Sequence, residues 1–440
     1  MTQSKIKPRE RDAVIQALNA GVVPRVGIQH IAVGRSRETD ALLQDVERIT
    51  DSGSAIRFII GEYGAGKTFF LNLVKQISLE KKLVVVSADL APNRRLHATG
   101  GQARNLYSEL MRNLSTRTKS EGGALQSVIE RFISDAVRKA RTEGVAVEDL
   151  IHRELSPLED LVAGFDFSVV IAAYWRGYDH GDDELKGAAL RWLRGEYSTK
   201  TEARKDLGVR TIIDDGSFYE HLKLMARFVM IAGYGGLMVS LDEMVNLYKL
   251  NSAQARNANY EQLLRIINDV LQGASSGIGF VFGGTPDFLM DTRRGVYSYE
   301  ALQSRLAENQ FARNGLVDLS GPVIRLQSLT PEELYVLLTN IRRVFALGDV
   351  DNFLIPDQAL HAFMSHCNDK IGEAYFRTPR NTAKTFVNLL SVLEQNPEAS
   401  WTDLLNAAVI EAETPLDETA DDPPVEVSTE SDDDLTSFRL

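Results

Sequence analysis

Eight consecutive residues, Gly61-Glu62-Tyr63-Gly64-Ala65-Gly66-Lys67-Thr68, set three glycines, a lysine and a hydroxyl at the spacing G-x-x-x-x-G-K-[ST]. The chemistry open to such a set is the holding of nucleotide phosphates. Glycine at 61, 64 and 66 allows backbone angles and close approaches that side chains would block. The loop's N–H groups, with the start of a helix that runs on through Phe69, then point at the phosphates. Lys67 supplies a cation for the β and γ oxygens, and the Thr68 hydroxyl is a ligand for Mg²⁺. A second set closes the stretch GLMVSLDE, residues 236–243. Asp242 would hold the Mg²⁺ shell and Glu243 would polarise an attacking water, which argues for hydrolysis beyond binding alone. The competing reading of that pair is a solvated acidic start to a helix.

These groups need a scaffold that delivers them to one edge. Five short apolar runs do so: Ile56–Ile60, Leu83–Ser87, Leu237–Leu241, Ile278–Phe282 and Val323–Leu326. Each is continuous and not alternating, and helical pattern separates each from the next, as in a parallel sheet covered on both faces. The gap from about 91 to 236 far exceeds an ordinary crossover, so it reads as a helical insertion with a subdomain near 150–210. Thr330-Pro331-Glu332-Glu333 carries a capping box with proline in the first turn, opening a helical segment that runs to about 410. From about Glu413, Pro, Asp, Glu, Ser and Thr dominate, and the composition is that of a disordered tail.

Composition bounds the rest. The net charge is -12, but residues 411–440 hold eleven acidic residues and one Arg, so the preceding 410 residues sum to only -2. A near-neutral body is free to carry a basic face. Cys367 is the single cysteine, so no disulfide can staple the fold. No apolar run approaches the roughly 20 residues of a membrane span, and no signal peptide opens the chain, so a soluble cytoplasmic protein is expected. His366 beside Cys367 has no further ligands of metal-site spacing, and His221 lies in an apolar helical pattern that asks for no catalytic role.

With these residues in place the chain resembles the AAA+ and STAND group of P-loop ATPases, on its initiator and clamp-loader side. The resemblance implies an α/β fold: an AAA+-like P-loop core with a five-stranded parallel sheet, a large helical insertion and a C-terminal all-helical lid. It implies further site residues. HIAVGRSRETDALL, residues 30–43, is similar to an adenine-side segment with Gly34 and Arg35 at the nucleotide. Thr285 stands at the sensor-1 place, and Arg377-Thr378-Pro379-Arg380 resembles the sensor-2 Pro-Arg step, with Arg380 as its catalytic arginine. Gln303-Ser304-Arg305-Leu306 is similar to the motif whose arginine reaches a neighbour's phosphate, with Arg293 or Arg294 as the alternative. The domains are then 1–50, an N-terminal helical arm and adenine-side segment; 51–329, the core; 330–412, the lid; and 413–440, the tail.

A narrower resemblance covers about residues 10–410. GEYGAGKT, Trp192-Leu-Arg-Gly-Glu196, GYGGLMVSLDEMVNLY and FVFGGTPDFL together resemble the BrxC/BrxD family of bacterial phage-exclusion ATPases, and the length suits its shorter, BrxD-like member. That implies a defence role directed at DNA, a homo-oligomer and a helicase or other defence-system protein as partner. Two stretches bear on partners. Arg176, Arg191, Arg194, Lys200, Arg204, Lys205 and Arg210 could neutralise phosphates, with Trp175 or Trp192 stacking on bases; alternatively the tryptophans are core and the charges are solvated or paired with Glu196, Glu202 and Asp206. The tip SDDDLTSFRL ends in Leu435, Phe438 and Leu440, a form suited to docking on a partner. Two further classes stay open: a STAND-like switch that turns over rarely, and a passive ATP-binding scaffold subunit.

Overall fold

The structure, a computed structural model, describes residues 6–312, 317–371 and 379–407. The tail, its apolar tip, and Arg377 and Thr378 lie outside the described residues. Five strands form one sheet: β1 (Ser54–Ile60), β2 (Val84–Asp89), β3 (Leu237–Asp242), β4 (Ile278–Gly284) and β5 (Val323–Arg325). Their order is β2-β3-β4-β1-β5 and every pairing is parallel. All residues of β4 and all but the first of β1 are buried, as continuous apolar runs require when helices cover both faces.

One face of the sheet is covered by helices Ser36–Thr50 and Lys67–Glu80, with Leu42, Val46, Ile49, Phe70, Leu71 and Val74 packed against Ile59, Val85 and Val281. The other face meets the insertion. Its seven helices, from Gln102–Arg112 to Phe218–Ile231, share a single continuous core with Phe58, Val84, Val86, Val239 and Phe280. His221 is buried in that core with Nδ1 2.8 Å from the Ser217 carbonyl oxygen.

Between Thr330 and Ala407 the described residues carry helices and no strand. The capping box forms: Thr330 Oγ1 accepts from the Glu333 N–H at 3.2 Å, and Glu333 Oε2 accepts from the Thr330 N–H at 2.9 Å. The core of this lid also takes in Ile6, Val14 and Ile31, so the first helix, Pro8–Asn19, belongs to the lid in packing, although helix Ser36–Thr50 belongs to the sheet. No described helix is long and apolar enough to cross a membrane.

A buried ion pair ties the edge strand to this frame. Arg57 of β1 donates to both Asp45 oxygens, to the Leu319 carbonyl at 2.7 Å and to the Gly321 carbonyl just ahead of β5. Arg57 and Asp45 are 5% and 2% exposed, so neither charge has water to fall back on. Removing one partner strands the other charge. Asp45→Ala is expected to lower unfolding free energy by about 3–5 kcal/mol, read from urea denaturation; a loss within 1 kcal/mol would make the pair a spectator.

Candidate nucleotide site

The phosphate loop occupies the turn between β1 and the helix that begins at Lys67. Gly64 and Gly66 take φ of 80° and 85°, a conformation side chains resist, and this aims the following N–H groups into the cleft. Lys67 Nζ donates to the carbonyls of Gly61 at 2.9 Å and Glu62 at 3.0 Å, folding its ammonium back over the loop. Burial pulls the Lys67 ammonium below the usual lysine range, against the opposing charges of Asp242, Glu243 and Glu62. Tyr63 stands exposed at the loop tip with its ring 5.3 Å from Nζ.

Asp242 meets the loop across β4. Thr68 Oγ1 donates to Asp242 Oδ2 at 2.9 Å, and Asp242 Oδ1 accepts from the Glu243 N–H at 2.9 Å. A hydroxyl and a carboxylate oxygen side by side make the hard, all-oxygen donor set that Mg²⁺ takes, so Thr68 and Asp242 fit that ion. Glu243 sits at φ 58°, a strained angle for a residue with a side chain, at the point where strand β3 gives way to helix. Desolvation, and then the charge of Asp242, push its carboxyl above the usual range.

Sequence reasoning missed two residues here. Asp89 ends β2 directly opposite Asp242 in register, and its carboxyl is pushed up by desolvation and by Asp242. The run of Val84–Val86 pointed to the strand, but which residue would face Asp242 depends on strand order. The second is Gly283 of β4. A Cβ there would overlap Asp242 Oδ1 and lie 3.0 Å from Leu71 Cδ1, so the bare α-carbon clears the path by which Asp242 reaches Thr68.

The remaining residues fall in several places. Thr285 follows β4 and is buried; its hydroxyl accepts from the Phe288 N–H at 3.3 Å, capping helix Pro286–Met290. Gly34 and Arg35 both lie at positive φ, with the Arg35 guanidinium on the Gln327 carbonyl and near Glu38, and the Gly34 α-carbon against Glu333 of the lid. Arg380 donates to the Gly21 carbonyl, and Phe69 packs on the lid core. Arg305 donates to Asn268 Oδ1 and the Ala301 carbonyl, both at 2.7 Å, while Arg294 donates to the Tyr248 and Leu250 carbonyls. Trp192 is 1% exposed with its N–H on the Thr211 carbonyl, so of the two readings it takes the core one; Trp175 is half-buried beside Tyr178.

Residues 6–409 match the family model described as "BREX system ATP-binding protein BrxC/D". No curated protein matches the chain.

The clearance at Gly283 yields a measurement. Gly283→Ala is expected to keep magnesium-free binding of a fluorescent ATP analogue and to lose most of the tightening that Mg²⁺ adds. Comparing titrations in EDTA and in Mg²⁺ tests this; an unchanged magnesium increment would show that Asp242 has another route to Thr68.

Proposed function

The chain belongs to the BREX system ATP-binding protein BrxC/D family, and from that premise we propose that this phage-defence protein hydrolyses the ATP it binds, as an AAA+-like machine acting on DNA. The observation that carries the reading is the set of groups around one cleft: the Lys67 loop, the Thr68–Asp242 contact and the neighbouring Glu243 carboxylate. A protein that only stored nucleotide has no use for the last of these.

In this mechanism the loop N–H groups and Lys67 hold the phosphates, and Lys67 exchanges its two loop carbonyls for phosphate oxygens. Thr68 and Asp242 would hold Mg²⁺, which when bound neutralises charge on the β and γ phosphates. Glu243 accepts a proton from the attacking water; a carboxylate with its pKa raised from the ordinary range is the better base for that step. Sheet order with the phosphate loop after β1 and Asp-Glu after β3 supports the AAA+ reading, and Phe69 on the lid core supports a lid that feels the nucleotide.

The site is completed in this reading by a neighbour's arginine, in a homo-oligomer. Of the three candidates, Arg305 and Arg294 are held by their own chain, whereas the exposed Arg293 side chain makes no hydrogen bond or ion pair among the described residues. That favours Arg293 as the residue presented outward. A helicase or other defence protein, engaged through the C-terminal tip, would be the machine's client.

Steady-state hydrolysis measured against protein concentration, with and without duplex DNA, tests the reading. Specific activity should climb with concentration and rise again with DNA. Glu243→Gln should remove roughly 10²–10⁴-fold of the rate, and Arg293→Ala should abolish the climb. A flat, slow rate indifferent to DNA would hand the function to a STAND-like switch or a passive scaffold.

A further inference from the structure

Helix Lys200–Leu207, in the insertion, sorts its charges by face. Its two acids are both taken up by neighbours. Glu202 accepts from Arg191 at 2.7 Å, and Asp206 accepts from the Tyr197 hydroxyl at 2.9 Å, with Arg191 again 3.8 Å away. Arg191 also lies over the Tyr197 ring, 4.4 Å from its centre. One arginine from the preceding helix thus satisfies both carboxylates. The helix's own cations are left over: Lys200, Arg204 and Lys205 are exposed, and their side chains make no hydrogen bond or ion pair among the described residues. Arg210, just beyond the Gly208 turn, is exposed and unpaired in the same way. The i,i+4 pairing that would have cancelled these charges does not form.

The strip is also held rigidly. Buried Asp166 accepts from the Arg210 N–H at 3.0 Å, the Thr211 N–H at 2.7 Å and the Thr211 hydroxyl at 2.5 Å. The Trp192 indole N–H donates to the Thr211 carbonyl at 2.8 Å, and Thr199 caps the helix through the Glu202 N–H. Four unpaired cations within eleven residues, on a chain of net charge -12, are spent on a local surface. The rings bonded into the strip's frame are closed to stacking: Trp192 and Tyr197 are each 1% exposed. A strip of fixed positive charge whose own rings are buried reads a phosphate backbone, not unpaired bases.

We propose that Lys200, Arg204, Lys205 and Arg210 form the surface on which duplex DNA docks, through its backbone and without regard to sequence. This rests on the DNA-directed reading above and names its contact. All four side chains lie outside the nucleotide site, so basal hydrolysis does not depend on them.

The test is fluorescence anisotropy of the full chain on labelled duplexes of two unrelated sequences, over a salt series. The variant carries Lys200→Ala, Arg204→Ala, Lys205→Ala and Arg210→Ala together. It should bind both duplexes about tenfold or more weakly at low salt, and the slope of log affinity against log salt should fall by about one per residue, roughly 3 to 4 in all. Melting temperature and DNA-free ATP turnover should match the unaltered chain. Lys200→Arg with Lys205→Arg, which keeps the charge, should bind normally. Equal affinity and slope in the four-alanine variant would overturn the strip while leaving the DNA-directed reading standing. No duplex binding by the unaltered chain would overturn both, and a synthetic peptide of residues 411–440 that binds the strip when duplex does not would assign it to the acidic tail.

Discussion

The architecture turns on one contact that must span a strand. The phosphate loop follows β1 and Asp242 ends β3, but the sheet order places β4 between them. Thr68 and Asp242 can touch at 2.9 Å only if β4 offers no side chain at that level, and Gly283 meets the condition. Phe280 and Phe282 of the same strand, and Phe288 of the helix that follows it, pack into the core on either side of that gap. Of the strand's three glycines, Gly283 is the one whose bare α-carbon decides whether the two halves of the site form a unit. Arg57 and Asp45 serve the same frame from the outside, keeping the helix ahead of β1 and the loop ahead of β5 in fixed register with the strand that carries the phosphate loop.

Much of this was legible in advance, for a physical reason. Strands buried on both faces must be continuous apolar runs, so all five were found within a few residues of their observed ends. Glycine, lysine and hydroxyl at fixed spacing have few other uses, and the capping box at Thr330 is a local device that needs no tertiary knowledge. Properties that depend on which strand lies beside which were hidden. Asp89 lies beyond the apolar run Leu83–Ser87 and stands opposite Asp242 only through strand pairing, and Gly283 lies beyond the run Ile278–Phe282 although the strand continues through it. The insertion was legible as helical from its length and spacing, but that its helices complete the sheet's own core depends on packing that no local pattern carries. Trp192 shows the limit of composition: tryptophan beside arginine fits a stacking surface or a core, and only the hydrogen bond to Thr211 decides between them.

Charge in this protein is arranged by locality. The acidic excess lies in the last thirty residues, the carboxylates of the nucleotide cleft gather within one sheet edge, and the insertion's small outer helix has its acids paired and its bases free. Arg191 achieves the last of these by neutralising two carboxylates at once. The aggregate charge thus says little about any single face.

The first helix has a consequence for biosynthesis. Pro8–Asn19 leaves the ribosome early, but the lid residues it packs on, from Leu334 to Leu405, are made some three hundred residues later. At roughly 5–20 residues per second the wait is on the order of tens of seconds. Throughout that interval Val14, Ile15 and Leu18 have no partner to cover them, while the sheet and insertion between can already collapse. The order of assembly is therefore dictated by topology: the central body forms first, and the lid closes only when the two distant parts of the chain meet across it.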